Sequence, residues 1–391
     1  MSPSSAAWLP LVAFVVLGLP AGILGVTWPS MRAAVGAPLA VLGLVLAVST
    51  VTYFLSAAAT GPLTSRIGIR WLLVLSCVAA GVGCLLFASA HALLVALAGS
   101  ALVGLGSGAF DAGVNAYVSL NYGVRLMGWL HAAWSVGAGA GPLLVSASLG
   151  TPGSWRSAYL VATLAFVVIA LLSIQQGRGW PRSTPSGPAA VSRVEAGREQ
   201  PTMALVAAAL PFFLFAGLEM ATGQWSFSQL TGGRRVPSGL ASVGVSLFWF
   251  GMAAGRMLLG SLGHRLAPIR LLDLGAGLCV LGALFYWLAP PLVSTLVALP
   301  AIGVGVSVLY PVAIILTPSR VGSALATHAI GYQIAFGTVG GAAVPAIIGI
   351  GLQSIGPSLL GPAISAVAAA LLLLHLGTRQ SAGHAAGHPA S

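Results

Sequence analysis

Apolar runs long enough to cross a bilayer recur twelve times along this 391-residue chain, and that recurrence limits the fold more than any other feature. They cover residues 8–30, 38–62, 69–90, 92–120, 126–150, 158–174, 203–227, 239–262, 268–289, 292–318, 321–352 and 357–376. A helix of about twenty apolar residues spans the hydrocarbon core and pairs its backbone N–H and C=O groups internally. Only 5% of the residues are charged and 58% are hydrophobic, where a soluble domain carries about 25% charged residues. The expected fold is an all-α membrane protein of twelve transmembrane helices. The first run has the length of a full span and lacks a basic leader, so it reads as a retained helix.

A Pro/Ser/Gly/Arg-rich stretch at 177–202 divides the runs six and six. The reading is an N-terminal six-helix bundle at 1–176, a cytoplasmic linker at 177–202, a C-terminal six-helix bundle at 203–378 and a disordered cytoplasmic tail at 379–391. The halves also repeat. Gly61, Leu63 and Arg66 match Gly260, Leu262 and Arg265 at an offset of 199, and Arg70 matches Arg270 after one inserted residue. Trp28 pairs with Trp225, and His131 with His328, both at an offset of 197. Near-constant offsets in separate runs predict two pseudo-symmetric bundles.

The net charge of +11 comes without any lysine, and the sixteen arginines lie mostly between apolar runs. That is the distribution of topology signals, and it argues against a nucleic-acid surface. With the amino terminus inside, eleven arginines fall in the cytoplasm, Arg32, Arg156, Arg234 and Arg235 fall outside, and Arg256 lies within a span. Both termini are therefore expected on the cytoplasmic side of the plasma membrane. Cys77, Cys84 and Cys279 sit in apolar runs without metal-ligand spacing, so neither disulfides, a metal site nor a cofactor is expected.

The stretch 104–144 places Asp111, Asn115 and His131 at membrane depth. Gly104, Gly108, Asp111 and Asn115 follow at spacings of four, three and four, which puts them on one helix face. Small residues there admit a close neighbour, and the polar pair must face protein or water. Of the five acidic residues, Asp111 and Glu219 alone lie deep in runs, one per half. An intramembrane carboxyl marks a proton relay or a structural hydrogen bond, and the first reading makes these two the candidate proton carriers.

Arg256, a permanent cation inside a run, needs a carboxylate or an anionic solute. Asp273 is the expected partner, because Glu219 reads as too near the outer side. His131 and His328, with Trp134 and Tyr332 one turn onward, are read as gating or packed histidines. Asn115, Gln224, Gln333, Trp134, Trp225 and Trp28 are the candidate solute contacts, since amides orient hydroxyls and indoles cover apolar ring faces. For Trp28 and Trp225, an interfacial belt or outer gate competes with that role. Thr222, Gly223 and Ser226 share the face of Glu219, whereas Trp225 does so only if the helix breaks.

Two runs of six, a basic central stretch and the pattern G-x-L-x-x-R-x-G-x-R at Gly61 to Arg70 together resemble the major facilitator superfamily. Ser65 and His264 stand where that family's loop usually has an acid. Gly104 to Asn115, Leu130 to Pro142, FAGLEMATGQW at Phe215 to Trp225 and GMAAGRMLLG at Gly251 to Gly260 are similar to its fucose permease branch of sugar:proton symporters. The resemblance implies a monomeric secondary transporter working by alternating access. Its partners would be a small sugar-like solute, protons and membrane lipid, and Arg66 and Arg265 would be gating or structural residues. A proton-driven exporter of drugs or natural products, and a transport-dead receptor or scaffold, stay open as alternatives. An enzyme is not expected. GLGSG lacks the strand–helix context of a nucleotide loop, and Asp111 has no second aspartate at its depth.

Overall fold

The computed structural model describes residues 8–121, 124–148, 155–176, 202–262 and 265–386. Among these there is no strand, and eleven helices run to 21 residues or more. The N-terminal half holds α1 (Trp8–Val35), α2 (Leu42–Ala88), α3 (Leu93–Asn121), α4 (Val124–Ser148) and α5 (Trp155–Gln176). The C-terminal half holds α6 (Thr202–Ser228), α7 (Ser238–Leu262), α8 (Pro268–Leu288), α9 (Leu299–Val321), α10 (Ser323–Ser354) and α11 (Leu360–Ala386). Among the described residues, nine helical segments are long and apolar enough to cross a membrane, one of them being Leu39–Ala88 with 50 residues.

That long segment carries the second and third apolar runs as two helices that meet at a kink. Its break lies at Gly68, with φ 77° and ψ 156°. Only glycine adopts this region without strain, because a Cβ would collide with the flanking peptides. The central glycine of the G-x-L-x-x-R-x-G-x-R pattern thus turns the chain between two apolar stretches. Gly322, between α9 and α10, has nearly the same geometry, with φ 82° and ψ 153°. Gly68→Ala is expected to cost about 1–3 kcal/mol, read as a lowered thermal midpoint in detergent. Gly61→Ala is the control in the same helix, since nothing lies within 4 Å of a Cβ there. Equal midpoints for the two variants would refute the role given to Gly68.

The chain divides into two compact units, Met1–Arg198 and Glu199–Ser391. The expected linker lies, apart from residue 202, outside the described residues. In the first unit α1 packs on α4, while α2 packs on α3 and α5. Gly22 and Gly137 let the first pair approach backbone to backbone, since a Cβ on either would overlap a carbonyl oxygen of the partner helix. Without a hydrophobic force between helices in lipid, such close contact supplies the packing energy. In the second unit α6 packs on α10, α7 on α9, and α8 on α9 and α11.

Two arginines that the sequence marked only as outer-loop charges cap helix ends. Arg156 donates to the carbonyls of Ala88 at 2.9 Å and Ala90 at 3.2 Å, with its guanidinium 4.4 Å from the Trp155 ring centre. Arg234 donates to Ala289 O at 3.1 Å and Ser294 Oγ at 2.6 Å. Each satisfies carbonyls that a helix C-terminus leaves unpaired. At the other extreme of the chain, residues 379–386, expected as part of a disordered tail, continue α11. The apolar helix before them supplies the nucleus, and adding a turn to an existing helix costs little.

Candidate functional site

In the first unit the polar stripe of α3 meets the first part of α2. A Cβ on Gly104 would overlap the Ser49 carbonyl and Thr52 Oγ1, and one on Gly108 the Tyr53 carbonyl. The expected close neighbour is therefore α2. This approach brings Tyr53, which sequence reasoning missed, onto Asp111. Its phenol donates to Asp111 Oδ2 at 2.5 Å. One turn along α3, Asn115 Nδ2 donates to Asp111 Oδ1 and to the Asp111 carbonyl, both at 2.9 Å. Charge-assisted bonds of this kind offset the desolvation of a carboxylate. Asp111, Asn115 and Tyr53 are all half-buried. A carboxyl with a phenol on one oxygen and an amide on the other has the groups to exchange a proton and to orient hydroxyls.

In the second unit Glu219 is half-buried on α6, and the charge that acts on it is the Arg256 guanidinium of α7. The Tyr310 phenol of α9 lies in the same field. This corrects the expectation that Glu219 sits too far out to serve Arg256. Gly223 of α6 lies against the Trp249 indole of α7, where an added Cβ would overlap the ring. From that contact Glu219 lies four residues and Arg256 seven residues toward the same end, so about 4–5 Å of helix rise separates them. Asp273, the partner expected for Arg256, bonds His375 Nε2 at 2.7 Å, joining α8 to α11.

Trp28 and Trp225 are 0% exposed, and their indole N–H groups donate to Leu39 O at 2.9 Å and Pro345 O at 2.8 Å. Both fill the interior of their own unit, because a buried indole needs an acceptor and finds a backbone carbonyl. Gln224 is also fully buried. Gln333 spends its amide between helices, accepting from Thr317 Oγ1 at 3.0 Å and donating to Ala208 O at 3.3 Å. Trp134 is half-buried on α4.

His131 is exposed, with Phe14 set edge-on at 6.1 Å between ring centres. His328 is half-buried, and its ring nitrogens have no hydrogen-bond partner among the described residues. Arg66 and Arg265 are exposed. Cys77, Cys84 and Cys279 are free and buried.

The sequence profile of the Major Facilitator Superfamily matches residues 11–345. The chain belongs to this superfamily. No curated protein matches it by sequence. Among solved structures, it resembles the nucleoside transporter NupG with a TM-score of 0.72 at 13% identity, covering 95% of this chain and 98% of that one. It also resembles the E. coli fucose:proton symporter FucP with a TM-score of 0.63 at 16% identity, covering 97% of this chain and 99% of that one. A second FucP structure, in the outward conformation, gives 0.64 at 16% identity over 97% and 99% of the two chains. At these identities the likeness establishes a shared fold. Members of the Major Facilitator Superfamily are transporters, and this chain is a multi-pass membrane protein of that family.

Proposed function

We propose that the chain is a proton-coupled secondary transporter that moves a small hydroxylated solute across the plasma membrane by alternating access. In this reading the protein is a monomer with twelve membrane passes and both termini in the cytoplasm. The observation that carries it is the Tyr53–Asp111–Asn115 constellation, a carboxyl at membrane depth held between a phenol and an amide. An ionisable group there is costly and is kept for a pathway. Asp111 exchanges the coupled proton, and Asn115 and Trp134 orient the solute. Glu219 is the second carrier, with Arg256 as its counter-charge. Gln224, Gln333, Trp28 and Trp225 hold the helices behind the site, and His131, His328, Arg66, Arg265 and Asp273 serve gating or packing. Fucose and nucleosides, named for the two fold neighbours, both present ring hydroxyls that such a site suits.

The test is proton flux in proteoliposomes with an internal pH-sensitive dye, screened against sugars and nucleosides. The expected result is proton uptake that starts only when one solute class is added. Solute exchange without any proton movement would replace this reading with a uniporter.

A further inference from the structure

The face of α6 that carries Glu219 continues through Thr222, Ser226 and Gln229, at spacings of three, four and three. On α7 the stripe from Arg256 runs back through Trp249, Ser246 and Ser242, at seven, three and four. Gly223 against the Trp249 ring makes the two helices neighbours at this level. Together they form a polar seam inside the second unit, running from the Glu219–Arg256 pair to the far end of α6.

Three hydroxyls along this seam differ from Thr231, Ser261 and Thr317. Thr231, Ser261 and Thr317 bond back to the carbonyl four residues earlier, which satisfies them within their own helix. Thr222, Ser242 and Ser246 are 0%, 0% and 1% exposed, yet their Oγ atoms have no hydrogen-bond partner among the described residues. Buried hydroxyls demand a partner, and water is the one small enough for a close-packed helix pair. At its far end the seam closes on the Tyr286 hydroxyl, which donates to Gln229 Oε1 at 2.7 Å, with Arg234 5.5 Å from the same ring centre. A π-helical turn, Gln229–Gly233, begins at that glutamine, and such turns concentrate at functional sites.

We propose that this seam is an internal hydrated path that conducts protons between the Gln229–Tyr286 end and Glu219. It rests on the reading of Glu219 as a proton carrier. Water is the bound species, and Thr222, Ser246 and Ser242 anchor it. Each hydroxyl takes a proton from one neighbour and yields its own to the next, so it ends unchanged while the Glu219 carboxylate gains one proton from solvent. The charge that acts on Glu219 is Arg256 from α7, Glu219 in turn acts on Tyr310 from α9, and α10 presents Val344 to Gly217 nearby. Asp111 belongs to the other unit and is not served by this path.

The test is infrared spectroscopy of the purified full-length protein on transfer from H2O to D2O. The Glu219 carboxyl band is identified by its loss in Glu219→Gln. The double variant Thr222→Val with Ser246→Ala keeps shape and removes two hydroxyls. The expected result is isotope exchange at Glu219 slowed about tenfold, the effect of one lost hydrogen bond on a barrier, with solute exchange unchanged. Exchange as fast as wild type, even with a lowered thermal midpoint, would make the hydroxyls structural and overturn the path. Absence of a Glu219 carboxyl band in the wild type would overturn the carrier reading itself, and the path with it.

Discussion

Asp111→Asn is expected to abolish solute-driven proton uptake in proteoliposomes while the protein remains folded. The amide has the shape of the carboxyl, so the Tyr53 hydroxyl keeps an acceptor at the position it now reaches at 2.5 Å. What is lost is the ability to bind and release a proton, and no neighbour in the constellation replaces it. A phenol ordinarily keeps its proton at neutral pH, and an amide does not titrate at all. Counterflow of labelled solute, which needs no net proton movement, is expected to survive. The amide has a single acceptor oxygen, so Asn115 Nδ2 loses its acceptor at Oδ1, and stability is expected to fall by about 1 kcal/mol, the worth of one hydrogen bond. Tyr53→Phe is expected to retain coupling but to slow it about tenfold, the worth of one charge-assisted hydrogen bond. Undiminished proton uptake in Asp111→Asn would make this carboxyl a structural bond between α2 and α3.

Gly22→Val carries the largest expected effect on folding. A Cβ at this position would overlap the Ala138 carbonyl oxygen and lie 3.0 Å from Pro142 Cδ. Backbone cannot yield as a side-chain tip can, so α1 and α4 must separate along their contact. Gly137 makes the reciprocal approach to the Val15 carbonyl, so separation at one glycine loosens both. The cost is expected to exceed about 3 kcal/mol, the upper part of the range for overpacked cores. Size-exclusion chromatography in detergent should show loss of the monodisperse peak, and thermal unfolding a sharply lower midpoint. Gly277→Ala is the opposite case. Nothing lies within 4 Å of a Cβ there, so the alanine should gain about 0.5–1 kcal/mol of helix propensity. A Gly22→Val protein as stable as Gly277→Ala would remove close backbone approach as the basis of this packing.

Several features were legible in the residues alone because they depend on spacing along one helix. Apolar runs of membrane length marked the helical stretches, and the break at Gly68 sits inside a pattern already read as a loop. The stripe Gly104, Gly108, Asp111 and Asn115 announced both a close neighbour and a shared polar face, and the structure places α2 there. The periodicity that marks a face does not say which residue meets it. Tyr53 lies 58 positions from Asp111 and His375 lies 102 from Asp273, and neither pairing leaves a local trace. Glu219 and Arg256 came into each other's field only through the register set by Gly223 and Trp249. Trp28 and Trp225 read equally as belt or outer gate and as solute contact, because an indole suits each and the carbonyl its N–H meets leaves no local trace.

For this chain, composition and run length determined an all-helical membrane protein, and glycine spacing determined which faces pack closely, since both follow from one helix's geometry. Partner choice for each buried polar group was decided by tertiary structure. In a low-dielectric interior, a donor and an acceptor must be brought within hydrogen-bond reach, and only the packing of whole helices does that.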